Sequence, residues 1–170
     1  MHIAVFDAVN SICNGYKPYA SMAAVHPQAS VEAAAAAAAE RALSRLFPSL
    51  AGTFATELAN TLAAIPDGIR EDQGVAAGQF SADQILALRE FDGADGTSSY
   101  QPGNNPGQWR PTPPAFASGL LPWWGSVDPF AMSSASQFRP AAPPALNSQQ
   151  YATDYNMVKS LGSATSIFRT

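Results

Sequence analysis

Apolar and polar residues alternate at helical spacing from the first residues of the chain. Ile3, Phe6 and Asn10 are predicted to lie on one face of an opening helix, which has no capping residue ahead of it. Asn14-Gly15 then breaks the pattern and predicts a loop. A helix that starts without a cap leads us to expect that the natural start lies upstream.

An alanine-rich stretch follows and predicts a second helix. Ser30 is a suitable N-cap, and Pro48 ends the helical pattern. Between them the alanine run 33–39 leads into Leu43, Leu46 and Phe47 at helical spacing. This continuation favours a buried helix over a low-complexity linker, and its alanine face would allow a second helix to approach closely.

Two further helices are predicted before residue 93. The third, about Gly52 to Ala64, has an apolar stripe that should pack beside the alanine helix; its members are Phe54, Leu58, Leu62 and Ile65. The fourth runs from about Ile69 to Phe91 and contains Gly74 and Gly78. Glycine destabilises a helix interior, so these two positions indicate a place where another backbone comes close.

The character of the chain changes at Gly93. From there to Leu146 proline, glycine and serine dominate, and six large aromatic residues are interspersed: Trp109, Phe116, Trp123, Trp124, Phe130 and Phe138. We expect an extended strap that is ordered by placing its aromatics in helix grooves.

A fifth helix is predicted after the strap, capped by Asn147 or Ser148. Its apolar stripe is formed by Tyr151, Tyr155, Val158 and Leu161 or Gly162. The tail 163–170 is not expected to pack.

These elements predict an all-α fold, a helical bundle of about five helices with a long Pro/Trp-rich extended strap between the fourth and the fifth. We divide the chain into an N-terminal helical portion (1–92), the strap (93–146) and a C-terminal helix and tail (147–170). Together these parts are expected to form one incomplete domain.

Composition limits the classes of partner. Only 13% of the residues are charged, the formal net charge is −4, and the nine lysines and arginines form no basic run, so neither nucleic acid nor an anionic membrane is an expected partner. The apolar run at the N-terminus is too short for a membrane span. The low charged fraction suggests instead that another polypeptide covers part of the surface.

Few side chains offer catalytic chemistry. His2 and His26 have no serine or carboxylate at a suggestive spacing, and the lone Cys13 is expected to be a small buried residue. Asp7 and Asn10 are expected to be buried polar partners that fix helix packing. Asp67, Asp92 and Asp95 occur in turn sequences, where aspartate is common for backbone reasons, so no metal site is predicted.

The order of several motifs resembles the vanadium-dependent haloperoxidase family, part of the type 2 phosphatidic acid phosphatase superfamily. The matching segments span almost the whole chain: residues 2–10, Tyr16-Lys17-Pro18-Tyr19, the alanine helix, Ile65-Pro66-Asp67-Gly68, residues 102–114, residues 124–130, Ser136-Gln137-Phe138-Arg139-Pro140 and residues 151–169. The strap, with its Trp-Arg-Pro and Gln-Phe-Arg-Pro motifs, is the most specific part.

The resemblance implies where the chemistry of the family should lie. Its members hold vanadate or phosphate with a Lys and a later Arg-Pro, a Pro-Ser-Gly-His, and a Ser-Arg followed by a His; none of these segments occurs here. Arg110 and Arg139 each precede a proline, but neither follows a lysine at the family's distance, and we expect them to bond strap carbonyls. No catalytic, cofactor-binding or metal-binding residue is therefore assigned, and vanadate or phosphate is expected only in the complete family member.

The leading hypothesis is that the chain is the scaffold half of a haloperoxidase-like or acid-phosphatase-like protein, inactive alone. Its partner would be the missing C-terminal catalytic half, or another subunit, packed on the alanine and glycine faces. The alternative is a self-sufficient helical interaction or oligomerisation module, for example a homodimer. An independent hydrolase that uses His2 or His26 is the least favoured hypothesis.

Overall fold

The computed structural model describes residues 1–162 and 164–168, and within these ranges it contains five α-helices and no strand. The helices are α1 (His2–Cys13), α2 (Val31–Leu46), α3 (Ala51–Leu62), α4 (Ile69–Leu88) and α5 (Gln149–Leu161), with 3₁₀ turns at Pro48–Leu50 and Trp124–Ser126. The predicted all-α fold is confirmed. The chain divides into two compact units, one ending at Asp92 and one beginning at Gly93.

The first unit is organised around the contact between α2 and α4. Helix α1 packs against both of them, and α3 packs against α2 with the half-buried stripe predicted for it. Ten of the twelve buried apolar residues are alanines; they are Ala4, Ala8, Ala29, Ala33, Ala34, Ala37, Ala38, Ala42, Ala77 and Ala82. Because each alanine buries little apolar area, this core depends on close backbone approach and dispersion contacts.

Two glycines permit that approach, as the sequence predicted. A Cβ atom built on Gly74 would collide with the carbonyl oxygen of Ser30, and one on Gly78 would collide with the carbonyl oxygen of Ala34. The alanine face of α2 and the glycine face of α4 therefore cover each other. The expectation that these faces remain available to a missing half is wrong, because each is already occupied by the other.

The helix ends follow the local sequence signals. The Ser30 hydroxyl accepts a hydrogen bond from the Ala33 backbone N–H at 3.1 Å, and the Ser148 hydroxyl accepts one from Tyr151 N–H at 3.1 Å. Asn14 ends α1 in the left-handed conformation, with its N–H donated to the Asn10 carbonyl. Both predicted serine caps are thus confirmed.

Burial differs from the prediction in α1 and at the end of α2. In α1 the buried side chains include Ala4, Asp7 and Ala8, whereas Phe6 is exposed and only packs on the ring of Tyr16. Cys13 is exposed, contrary to the expectation that it is buried. It follows Phe6 by seven residues, two turns of helix, and so shares the outward face. Leu46 and Phe47 are also exposed, since α2 ends there and the chain turns.

The second unit begins with the strap, which has local structure of its own. The Trp123 indole N–H donates to the Ala94 carbonyl at 3.1 Å, and its ring lies so close to Gly96 that a Cβ there would collide with it. Tyr100 and Trp109 make an edge-to-face contact at 5.5 Å between ring centroids. These contacts join parts of the strap that lie up to 29 residues apart.

The expectation that the strap buries its aromatics in helix grooves is wrong. Trp123 is half-buried, but the other five large aromatics predicted for this role are exposed: Trp109, Phe116, Trp124, Phe130 and Phe138. The strap has short turns and contacts within itself, and these leave the five rings exposed. Of the predicted tail, Ser163, Arg169 and Thr170 lie outside the described residues.

None of the helices in the described part of the chain combines the length and apolar content that crossing a bilayer requires.

Candidate functional site

The most highly bonded polar group of the first unit is the Asp7 carboxylate of α1. It is fully buried, with one oxygen accepting the backbone N–H of Tyr19 at 2.8 Å and the other accepting those of Ala20 at 2.8 Å and Ser21 at 3.4 Å. Three backbone donors thus satisfy the buried carboxylate oxygens in place of water. The same contacts leave it inaccessible to a substrate.

Asn10 and Ser11 extend this cluster along one face of α1, three and four residues after Asp7. Asn10 exchanges two hydrogen bonds with the backbone of Tyr16, accepting its N–H at 2.9 Å and donating to its carbonyl at 2.7 Å. Ser11 accepts the Ala23 N–H at 2.8 Å. We call Asp7, Asn10 and Ser11 the α1 anchor.

The anchor determines the path of residues 16–23. The sequence predicted buried polar roles for Asp7 and Asn10 in helix packing, and the structure shows that their partners are the backbone of the following loop. Because that loop has no regular secondary structure, its N–H groups need such acceptors. The anchor is therefore structural: it holds a loop against α1 and leaves no free acid or base.

A groove between α2 and α4 contains an ion pair that joins the two helices. The Arg41 guanidinium donates from Nε to Asp83 Oδ1 at 2.8 Å and from Nη2 to Oδ2 at 3.0 Å, a bidentate pair. Arg45 and Glu90 lie in the same groove. Sequence reasoning did not identify this pair, since matching Arg41 with a residue 42 positions later requires the register between the two helices.

The electrostatics of this groove do not suit an oxyanion. The hydrogen bonds to Asp83, and next the charge of that carboxylate, raise the pKa of Arg41 above its ordinary value. Arg41 is thus already paired with Asp83, and the groove as a whole carries two cationic and two anionic side chains. An oxyanion needs a surplus of cationic donors, and this groove, where cationic and anionic side chains are equal in number, has none.

Both histidines are exposed, and within residues 1–162 and 164–168 neither has a partner for acid-base catalysis. His2 is the first residue of α1. His26 accepts the Gln28 backbone N–H on Nδ1 at 3.1 Å and lines an apolar groove with Val25 and Phe80, where no carboxylate or hydroxyl faces it. A histidine base requires an orienting group and a substrate proton within reach. The bond from Gln28 occupies Nδ1 of His26 with a backbone donor, and among the described residues no carboxylate bonds either imidazole ring.

The remaining polar residues singled out in the sequence are dispersed. Arg110 and Arg139 are exposed, and neither guanidinium bonds a carbonyl among the described residues, so the role expected for them in the strap is wrong. Asp67 and Asp95 are exposed, whereas Asp92 pairs with Arg89 at 2.6 Å. Within residues 1–162 and 164–168 no three histidine, cysteine or acidic side chains form a group that could hold a metal ion.

Comparison with solved structures finds a protein of the same fold. The chain superimposes on part of a bacterial vanadium-dependent iodoperoxidase with a TM-score of 0.74 and 24% sequence identity. The match covers 93% of this chain and 41% of the iodoperoxidase, so the chain spans less than half the length of the protein that it matches. No family model matches the chain. No curated protein matches it.

Proposed function

We propose that this chain is the scaffold part of a vanadium haloperoxidase-like or acid-phosphatase-like protein, and that it is inactive without a catalytic polypeptide. The observation that carries the proposal is the unequal coverage of the structural match, 93% of this chain but 41% of the iodoperoxidase. More than half of that enzyme has no counterpart here. The polypeptide that binds vanadate or phosphate would belong to that remainder.

The polar groups of the first unit fit a supporting role. The α1 anchor is saturated by backbone donors, Arg41 is bound to Asp83, and the alanine and glycine faces are packed together. Such a unit contributes rigidity to a neighbouring site rather than reacting groups. Vanadate or phosphate would bind in the complete protein, on residues from the catalytic part.

The proposal is tested by complementation. The polypeptide of the iodoperoxidase that lies outside the match is purified and mixed with this chain. Iodide oxidation by hydrogen peroxide with orthovanadate, and hydrolysis of p-nitrophenyl phosphate, are measured for each part and for the mixture. We expect no turnover by this chain alone and a gain on mixing. Turnover by the isolated chain would contradict the proposal.

Should the isolated chain be active, its histidines are the only candidates for acid-base catalysis by imidazole. The variant His2→Ala/His26→Ala then separates two explanations. Loss of turnover would identify an independent hydrolase that uses His2 or His26, and unchanged turnover would exclude one.

A second candidate function is a self-sufficient helical module for interaction or oligomerisation. The observation that favours it is the exposure of the apolar residues Leu46, Phe47 and Leu50 where α2 ends. Sedimentation equilibrium, which gives the oligomeric state, and urea unfolding together distinguish the two functions. A defined oligomer that unfolds in one cooperative transition would favour the module. A monomer whose unfolding transition is shallow would favour the scaffold.

A further inference from the structure

We propose that Asn14 is a site of covalent self-modification, at which the side chain deamidates through a cyclic imide formed with Gly15, and that Asn10 of the α1 anchor controls the rate. Of the asparagines in the chain, only Asn14 precedes a glycine. Glycine has no side chain to shield its backbone nitrogen, so this nitrogen reaches the preceding side chain more easily than that of any other residue. The reaction needs no second polypeptide and does not depend on the proposed function.

The reaction balances with water as its only co-reactant. The Gly15 backbone nitrogen attacks Cγ of Asn14, so that a C–N bond forms, the Cγ–Nδ2 bond breaks, and the side-chain nitrogen leaves as ammonia with the proton from Gly15. Water then opens the five-membered imide at either carbonyl. Opening at the side-chain carbonyl gives aspartate. Opening at the backbone carbonyl gives isoaspartate, in which the main chain runs through Cβ and Cγ.

The folded backbone holds Asn14 away from the geometry of attack. The imide ring requires Cβ of Asn14 and the nitrogen of Gly15 to eclipse each other about the Cα–C bond, which for an L-residue means a ψ of about −120°. Asn14 has φ 49° and ψ 39°, so the Gly15 nitrogen lies on the opposite side of that bond from Cβ. The reaction therefore requires a rotation of ψ at Asn14.

Asn10 restrains that rotation from both sides. Its backbone carbonyl accepts the Asn14 N–H at 2.7 Å. Its side chain accepts the Tyr16 N–H at 2.9 Å and donates to the Tyr16 carbonyl at 2.7 Å, and we call these two hydrogen bonds the Asn10 clamp. Asn10 is only 3% exposed, and all of these contacts lie within the first unit. Rotation of ψ at Asn14 swings Tyr16 away from Asn10, so the clamp must open before the imide can form.

The products of the reaction do not restore the clamp. Isoaspartate lengthens the main chain between Asn10 and Tyr16 by one methylene group. Both products also place a negative charge at the C-terminus of α1, where the helix dipole disfavours it. The loop at residues 16–23 then loses the bonds that hold its first residue. Deamidation thus converts a transient opening of this loop into a permanent one.

The test compares variants of the full 170-residue chain during incubation at mildly alkaline pH. Asn10→Ala removes the Asn10 clamp. The matched control Ser11→Ala removes a neighbouring bond of the same anchor, the one from the Ala23 N–H, and leaves the clamp in place. Asn10→Ala/Gly15→Ala adds a methyl group that shields the attacking nitrogen, and a Cβ atom on Gly15 meets nothing within 4 Å.

Peptide mapping by mass spectrometry measures the rate of conversion at Asn14 and the share of isoaspartate, and circular dichroism establishes that each variant is folded. We expect Asn10→Ala to convert Asn14 at least about 10-fold faster than the unmodified chain, because two hydrogen bonds no longer oppose the opening. Ser11→Ala should stay within about 3-fold of the unmodified chain. The double variant should lose the increase, because the nitrogen is shielded.

Two results in these variants would overturn the proposal. Equal rates in Asn10→Ala and Ser11→Ala would show that the Asn10 clamp does not control the reaction. An increase that survives Gly15→Ala would show that the reaction does not pass through an imide with Gly15.

Should Asn10→Ala not fold, the unmodified chain provides a second measurement. Its Asn14 should convert at least about 10-fold more slowly in buffer than in concentrated urea, where the clamp is absent. Equal rates in buffer and urea would overturn the protective role of the fold. No conversion of Asn14 under either condition would overturn the modification site itself.

Discussion

Gly78 and Ala38 approach each other so closely that a Cβ atom on Gly78 would stand 2.7 Å from the Ala38 backbone nitrogen. Real Cβ atoms do not come this near to backbone, so α2 and α4 would have to move apart. The alanine core contains few large side chains that could adjust to such a shift.

We therefore predict that Gly78→Ala lowers the free energy of unfolding by about 1–3 kcal/mol, even though alanine favours a helix. The control is Gly52→Ala in α3, where nothing lies within 4 Å of the new methyl group. It should raise the free energy of unfolding by about 0.5–1 kcal/mol. Urea unfolding followed by circular dichroism measures both. Changes of the same sign in the two variants would contradict the packing described for α2 and α4.

Asp7→Asn tests the α1 anchor. The amide would turn an NH₂ group toward backbone N–H donors that now bond a carboxylate, so at least one donor loses its acceptor. We expect a loss of about 2–4 kcal/mol in the free energy of unfolding. Glu57→Gln on the exposed side of α3 makes the same chemical change and should stay within about 0.5 kcal/mol. An Asp7→Asn protein as stable as the Glu57→Gln control would refute the anchor.

The Arg41 and Asp83 pair should contribute little despite its geometry. Its side chains are 41% and 44% exposed, so water and salt screen the charges. A double-mutant cycle with Arg41→Ala and Asp83→Ala should give a coupling of about 0.2–1 kcal/mol that decreases in 1 M salt. A much larger coupling that is insensitive to salt would mean that the pair is buried in solution.

The pH dependence of this pair follows from the raised pKa of Arg41. A group whose pKa is higher in the folded state stabilises the fold fully below its unfolded pKa and loses that contribution as the pH rises through the folded pKa. For arginine both values lie far above neutrality. The contribution of Arg41 to the coupling free energy, measured by the same double-mutant cycle, should therefore be constant from neutral to mildly alkaline pH.

Cys13 offers a test of the α1 orientation. Because it lies on the exposed face that Phe6 shares, its thiol should react completely with Ellman's reagent in the native protein. Cys13→Ser provides the blank. A thiol that reacts only after urea is added would show that the helix buries the face assigned to solvent.

The sequence predicted those features that depend on local rules. Ser30 is a cap because its hydroxyl reaches its own backbone three residues later, and Gly74 is informative because glycine is unfavourable in a helix unless space is short. Such signals can be recognised without knowing which other segment of the chain packs against the helix. The number of helices followed from them, and so did the close approach of another backbone at Gly74 and Gly78; that α2 supplies this backbone did not.

Features that depend on distant partners could not be predicted. The exposure of Cys13 and Trp124 is determined by which surfaces meet in three dimensions, whereas the sequence predicted a buried Cys13 and a Trp124 placed in a helix groove. The Asp7 carboxylate bonds backbone groups, which carry no sequence signal. The pairing of Arg41 with Asp83 requires the register of two helices, and an alanine run leaves that register open.

The central claim, that this chain supports a site whose reacting groups lie elsewhere, is tested most directly by titrating the purified 170-residue chain with orthovanadate in a calorimeter. The account predicts no saturable binding, because the described cations are paired or dispersed and neither histidine has a partner for acid-base chemistry. Stoichiometric vanadate binding that is abolished by His26→Ala would contradict it and would place a working site within this chain.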